Sequence, residues 1–174
     1  DQSDDWVFGS EFQILDVFYY DIDKKNVDSF ISQYVKPVSM NELIEKSDYI
    51  SIHLPLTDET KGFINKGLID KMQRRPIVLN IARGDIVNTD DLIEALKSGE
   101  IKGAGLDVTA PEPLPGGHPL CHLDNCIVVP HIGTATKECR NNMARLAAQN
   151  IINHFSWNWK YERRTDNKKN VWCI

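Results

Sequence analysis

Short apolar runs recur along this chain, each closed by a turn or a polar residue. They fall at residues 14–21, 49–54, 77–81, 103–108 and 127–129. Runs of three to eight residues are too short for buried helices, and stretches with helical spacing separate them. Strands alternating with helices require crossover connections, and crossovers build a parallel sheet. The alternation predicts one α/β domain with helices on both faces of the sheet. Neither an internal repeat nor a low-complexity tract competes with that reading.

The helices announce themselves at their ends. Ser39-Met40-Asn41-Glu42 is a capping box with Val38 and Leu43 at the staple positions, predicting a short helix to about Lys46. Leu68, Ile69 and Met72 give one apolar face to a short helix after Asn65. Asn88 or Thr89 caps another, in which Asp90 and Asp91 favour the positive end, Leu92, Ile93 and Leu96 bury, and Gly99 closes. A last helix begins near Ala135, where Met143, Leu146, Ala147, Asn150, Ile151 and His154 form a mostly apolar stripe. Residues 26–34 read as weakly helical, and residues 1–13 show no clear period.

A length of 174 residues is enough for a real core, and 41% hydrophobic with 26% charged residues is ordinary for a globular chain. The formal net charge of −5 argues against a general nucleic-acid surface. After Trp157, Lys160, Arg163, Arg164, Lys168 and Lys169 outnumber Glu162 and Asp166, so residues 157–174 are expected to be a disordered basic tail. No apolar run approaches the roughly 18 residues of a membrane span, and no signal-peptide pattern opens the chain. A start at Asp1 is expected of a processed, trimmed or incomplete product. Cys121, Cys126, Cys139 and Cys173 form no spaced disulfide framework, which fits a reducing, cytoplasmic setting.

Three groups at strand ends could carry chemistry, and strand ends are where open α/β sheets bind ligands. Arg83 follows the strand at 77–81; it is either a surface arginine in a turn or a planar fork for a carboxylate. Glu112 lies between Pro111 and Pro113, which stiffen its loop; it is either a solvated glutamate or an aimed carboxylate. His131, after Pro130, is either a structural histidine or an acid/base group able to cycle a proton near neutral pH. The coincidence of three favours a site. Asp107 could accept a bond from an amide ligand or cap a loop, and Asp21 could bind a ribose diol. His118, Cys121, His122 and Cys126 crowd one loop, but their spacing matches no usual zinc pattern, so no metal is expected.

The stretch Asn80-Ile81-Ala82-Arg83-Gly84-Asp85-Ile86-Val87-Asn88 resembles the arginine motif of the D-2-hydroxyacid dehydrogenases. Residues 105–113 resemble their glutamate motif, and Pro130-His131-Ile132-Gly133-Thr134-Ala135-Thr136 their histidine motif. Asp107-Val108-Thr109-Ala110-Pro111-Glu112-Pro113-Leu114-Pro115, with His118-Pro119-Leu120 after it, looks closest to the animal glyoxylate reductase/hydroxypyruvate reductases. The likeness runs from about residue 17 to 155. It implies a Rossmann-type doubly wound parallel sheet, with residues 1–156 as a partial NAD-binding domain. It implies reduction of a small 2-oxo acid, glyoxylate or hydroxypyruvate, to the D-2-hydroxy acid with hydride from NAD(P)H, by a homodimer.

By the same resemblance His131 is the acid/base group, Glu112 its partner, and Arg83 the anchor of the substrate carboxylate. Asp107 would hold the nicotinamide amide, and Leu54, Pro55, Leu56 and Thr57 with Ile81 and Gly133 would line the cofactor site. An acid at Asp21 favours NAD, since it repels a 2′-phosphate, while Lys24 and Lys25 leave NADP open. The chain also departs from the family. No G-x-G-x-x-G occurs in it, so the first strand, glycine loop and helix are expected to be missing from the sheet, as is the substrate domain. That departure supports an alternative, a truncated inactive relative acting as a binding module or an unstable fragment.

Overall fold

The structure is a computed structural model that describes residues 16–22 and 34–155. The expectations for residues 1–13 and 157–174, and most of the weakly helical stretch at 26–34, lie outside the described residues. Four parallel strands form the main sheet in sequence order: β3 (Tyr49–Ile52), β4 (Ile77–Asn80), β5 (Gly103–Leu106) and β6 (Cys126–Val128). A separate parallel pair joins β1 (Val17–Tyr19) to β2 (Val35–Pro37). All strand pairings among the described residues are parallel, as the crossover pattern requires.

The register sorts the main sheet into two faces. Ile50, Val78, Ala104 and Cys126 are opposite one another, as are Ile52, Asn80, Leu106 and Val128. The first three of each row are buried, and all but the polar Asn80 share one core with Leu43 and Ile44 of α1 (Met40–Lys46), Ile69 of α2 (Lys66–Ile69) and Leu92, Ala95 and Leu96 of α3 (Thr89–Ser98). Burying each such Leu or Ile side chain is worth about 1.5–3 kcal/mol, so this face holds the domain together. On the opposite face Tyr49 and Ile127 remain 64% and 71% exposed. The expected two helical layers are therefore represented, among the described residues, by the one built from α1, α2 and α3.

The caps form where the sequence places them. Ser39 Oγ accepts from the Glu42 amide at 3.2 Å, and Leu43 behind it is fully buried. The Glu42 carboxylate, instead of closing the box, accepts from Lys46 Nζ at 2.7 Å one turn on. Asn65 caps α2 and Asn88, not Thr89, caps α3, which ends on Gly99 in the left-handed region at φ 77°. Two elements differ from expectation. Strand β2 gives little sequence signal, because it has three residues and contains Pro37. Helix α4 (Lys137–Phe155) forms, but Met143, Leu146 and Ile151 of its stripe stay exposed, so the stripe has no cover among the described residues.

In the strand order 3-2-1-4-5-6 that the sequence likeness implies, β2 and β1 would take places 3 and 2 and β3 to β6 the places from 4 onward, leaving the central place 1 for the strand that leads into a glycine loop. Among the described residues no strand occupies it, in keeping with the missing G-x-G-x-x-G.

Candidate active site at the carboxyl ends of the strands

Parallel strands end together, so the loops after β4, β5 and β6 meet along one edge. The loop after β6 carries His131, the loop after β5 carries Asp107 and then Glu112, and the loop after β4 carries Arg83. His131 Nδ1 and Glu112 Oε1 lie 2.5 Å apart, both side chains being about half exposed. Glu112 sits between two cis peptide bonds, Ala110–Pro111 and Glu112–Pro113. With Nδ1 directed to a carboxylate, the ring's Nε2 is the nitrogen left to face a ligand. The backbone of His131 is in the left-handed region at φ 52°, a conformation uncommon outside glycine, though Asn, Asp and His adopt it more often than other residues.

Asp107 sits one residue beyond β5 and its amide continues the ladder, donating to Asn80 O at 3.0 Å. Its carboxylate spans to the histidine loop: Oδ1 accepts from the Ile132 amide at 2.7 Å and Oδ2 from the Gly133 amide at 3.0 Å. Gly133 faces that carboxylate so closely that a Cβ would stand 2.9 Å from Oδ2.

The Arg83 loop is built on Asn80. This residue is 1% exposed, and its side chain donates to Arg83 O at 2.9 Å while accepting from the Ala82 amide at 3.1 Å. Gly84, at the start of a short 3-10 turn, packs directly on the chain leading to Glu112: a Cβ there would fall on the Thr109 carbonyl. Thr89 Oγ1 adds a bond to Ala110 O at 3.1 Å. The loops are thus locked together, but the Arg83 guanidinium donates to its neighbour Ala82 O at 2.7 Å, not to Glu112 or His131. The structure joins Glu112, His131 and Asp107 in one network and leaves Arg83 at its edge.

The expected cofactor-site residues are spread along the same edge. Ile81 is exposed just past β4, and Leu54, Pro55 and Thr57 follow β3. Thr57 is engaged in its own turn, where its amide donates to Thr60 Oγ1 at 2.7 Å. Asp21 follows β1 in the other sheet. His53 bonds Ser51 Oγ at 2.9 Å, and burial holds its imidazole below the ordinary value of 6.5. In the loop of His118, Cys121, His122 and Cys126, the His118 ring accepts from the Leu120 amide at 3.3 Å. Among the described residues no group of three or more His, Cys, Asp or Glu is placed to hold a metal. Burial, and then the nearby Cys121, raise the Cys126 thiol to about 11, so it stays protonated at neutral pH.

Sequence reasoning missed Asn80 and the structural part played by Gly84. For Asn80 the signal existed: a polar residue inside the run Ile77-Val78-Leu79-Asn80-Ile81 must find partners if the strand is buried.

Residues 9–133 match the family described as D-isomer specific 2-hydroxyacid dehydrogenase, NAD binding domain. Over 115 residues the chain is 52% identical to the glyoxylate reductase/hydroxypyruvate reductase of Homo sapiens, covering 66% of this chain and 35% of that one. Over 137 residues it is 46% identical to a glyoxylate reductase of Thermofilum pendens, covering 78% and 40%. The fold is similar to the crystal structure of D-lactate dehydrogenase with NAD+ from Lactobacillus jensenii, with a TM-score of 0.72 and 31% identity over 79% of this chain and 44% of that one. The chain thus spans well under half the length of these relatives. No helix among the described residues is long and apolar enough to cross a membrane.

Proposed function

The chain belongs to the D-isomer specific 2-hydroxyacid dehydrogenases through their NAD-binding domain, and we propose that it contributes the acid/base half of a 2-oxo acid reductase site. The substrate class is a small 2-oxo acid such as glyoxylate or hydroxypyruvate, the acids named in the reductases it resembles. The observation that carries the proposal is the 2.5 Å bond between His131 and Glu112 at a strand-end edge.

The residues at the nicotinamide end suit a dinucleotide. Asp107 presents an acceptor carboxylate beside the histidine loop, and Ile81 offers an exposed apolar surface at the end of β4. The chain has no G-x-G-x-x-G with which to hold the pyrophosphate, so the fit is confined to Asp107, Ile81, Gly133, Leu54, Pro55 and Thr57, with Asp21 selecting against a 2′-phosphate. When bound, NADH or NADPH supplies the hydride that reduces the carbonyl carbon. His131 delivers the matching proton from Nε2 to the carbonyl oxygen, and the product is the 2-hydroxy acid. Glu112, bonded to Nδ1, fixes which nitrogen faces the substrate and stabilises the imidazolium that donates. Arg83 pairs with the substrate carboxylate, which requires its guanidinium to leave the Ala82 carbonyl and swing along the edge. Free thiols at Cys121, Cys126 and Cys139 suit the reducing conditions of a cytoplasmic site. A homodimer is the expected assembly.

Loss of NADH absorbance with glyoxylate or hydroxypyruvate tests this reading. His131→Gln should lower turnover by about 10²–10⁴-fold, the usual worth of a positioned acid/base group, with the fold intact because the ring is exposed. Equal rates for the two proteins would reject the role. The lack of a glycine loop supports a second reading, a catalytically silent binding module. Calorimetry that finds no NADH affinity in a chain that melts cooperatively favours this second reading.

A further inference from the structure

Asp107 does something in this structure that a cofactor ligand need not do. Its two carboxylate oxygens take the two amides that immediately follow His131, at 2.7 and 3.0 Å. The ends of this clamp are rigid. Asp107 extends the β5 ladder through its own bond to Asn80 O, and Val129 at the start of the histidine loop donates to Leu106 O at 2.9 Å. Between them His131 turns through φ 52°, with its amide returned to Val129 O at 3.0 Å.

A left-handed backbone costs any residue with a side chain conformational energy, histidine less than most, and the surroundings must offset it. Two bonds to a carboxylate are charge-assisted and stronger than bonds to a neutral acceptor. They fix the direction in which the chain leaves His131, and hence the direction in which its side chain leaves the backbone. Gly133 completes the device, since any Cβ would press on Oδ2 at 2.9 Å and displace the carboxylate.

We propose that Asp107 is a positioning residue that sets the left-handed turn of His131 and so brings the imidazole onto Glu112. This rests on the reading of His131 as the acid/base group, and it adds a role to the cofactor contact expected of Asp107. Each oxygen keeps a second lone pair, so both roles fit one carboxylate. Asparagine would not serve in this geometry, because its NH2 group would stand donor against donor at one of the two amides that the carboxylate oxygens now serve.

The test reads conformation in the isotopically labelled chain by NMR, so it stands or falls apart from turnover. A left-handed residue gives a strong intraresidue amide-to-Hα cross-relaxation peak, expected for His131, and the ring should show contacts to the Glu112 side chain. Asp107→Asn should lose the strong peak and the Glu112 contacts, while core signals such as Val78 and Ala104 stay in place. Gly133→Ala should cause the same losses with the aspartate still present, and it decides the matter if Asp107→Asn does not fold. A variant that melts earlier yet keeps both His131 signatures overturns the proposal, as does a native chain that lacks them.

Discussion

Asn80 shows what one buried polar side chain can organise. It lies in an otherwise apolar strand, nearly inaccessible to solvent, and satisfies both halves of its amide on the turn that carries Arg83. Asn80→Ala removes a donor and an acceptor together; the Ala82 amide loses its partner, while Arg83 O keeps the Ile86 amide at 3.3 Å. An amide left unsatisfied costs about 1–3 kcal/mol, so the variant should lose stability of that order in urea unfolding and loosen residues 81–83. Asn80→Asp keeps the acceptor for the Ala82 amide but sets a buried carboxylate oxygen against Arg83 O, and should cost at least as much as the alanine. Glu112 and His131 occupy the opposite regime. Both are about half exposed, and what they contribute is geometry, so their removal should be felt in chemistry more than in stability.

At the scale of elements, the loops after β4 and β5 are one unit. Gly84 lies where no side chain fits, against the Thr109 carbonyl, and it is not a positive-φ position; its requirement is for close approach alone. Gly84→Ala must separate the Arg83 loop from the run leading to Glu112. Overpacking of this kind costs about 1–3 kcal/mol, and here it also moves the carboxylate away from His131. The expected result is a lower melting temperature together with loss of the Glu112 contact to the histidine ring. An unchanged ring environment in Gly84→Ala would show that the two loops are independent. The elements also show where sequence patterns are reliable. The caps at Ser39, Asn65 and Asn88 are local interactions within four residues, and all three form. Strand β2 and the exposed stripe of α4 depend on distant neighbours, which no local pattern reveals.

At the scale of the molecule, one core joins the main sheet to α1, α2 and α3, and stability should follow the groups buried around it. His53, half-buried just after β3, carries part of this as a pH dependence. Burial disfavours its charged form, so its pKa in the fold lies below 6.5. Above pH 6.5 both folded and unfolded chains carry it neutral, and its contribution is complete. As the pH falls through 6.5 and then through the depressed value, the unfolded chain takes up the proton first and stability declines. His53→Gln should flatten that part of the curve of stability against pH, measured by urea unfolding between pH 7.5 and 5. An identical slope in the two proteins would show that His53 does not contribute. The larger architectural fact is that, among the described residues, β1 and β2 form a sheet apart from β3 to β6, in a sequence without G-x-G-x-x-G.

The sequence alone determined the α/β class, the strands of the main sheet to within two residues, the helix caps and the membership of three loops in one edge. These follow from periodicity, capping chemistry and the rule that parallel strands end together, all of which act over short spans of chain. Tertiary structure decided which of the candidate groups meet. It put Glu112 on His131, 19 positions away, and left Arg83 on its own backbone. It also turned Asp107 toward the amides of Ile132 and Gly133, 25 and 26 positions on. Those contacts depend on the lateral order of β4, β5 and β6, and on side-chain directions set by a left-handed backbone. Neither is written in the spacing of residues along the chain.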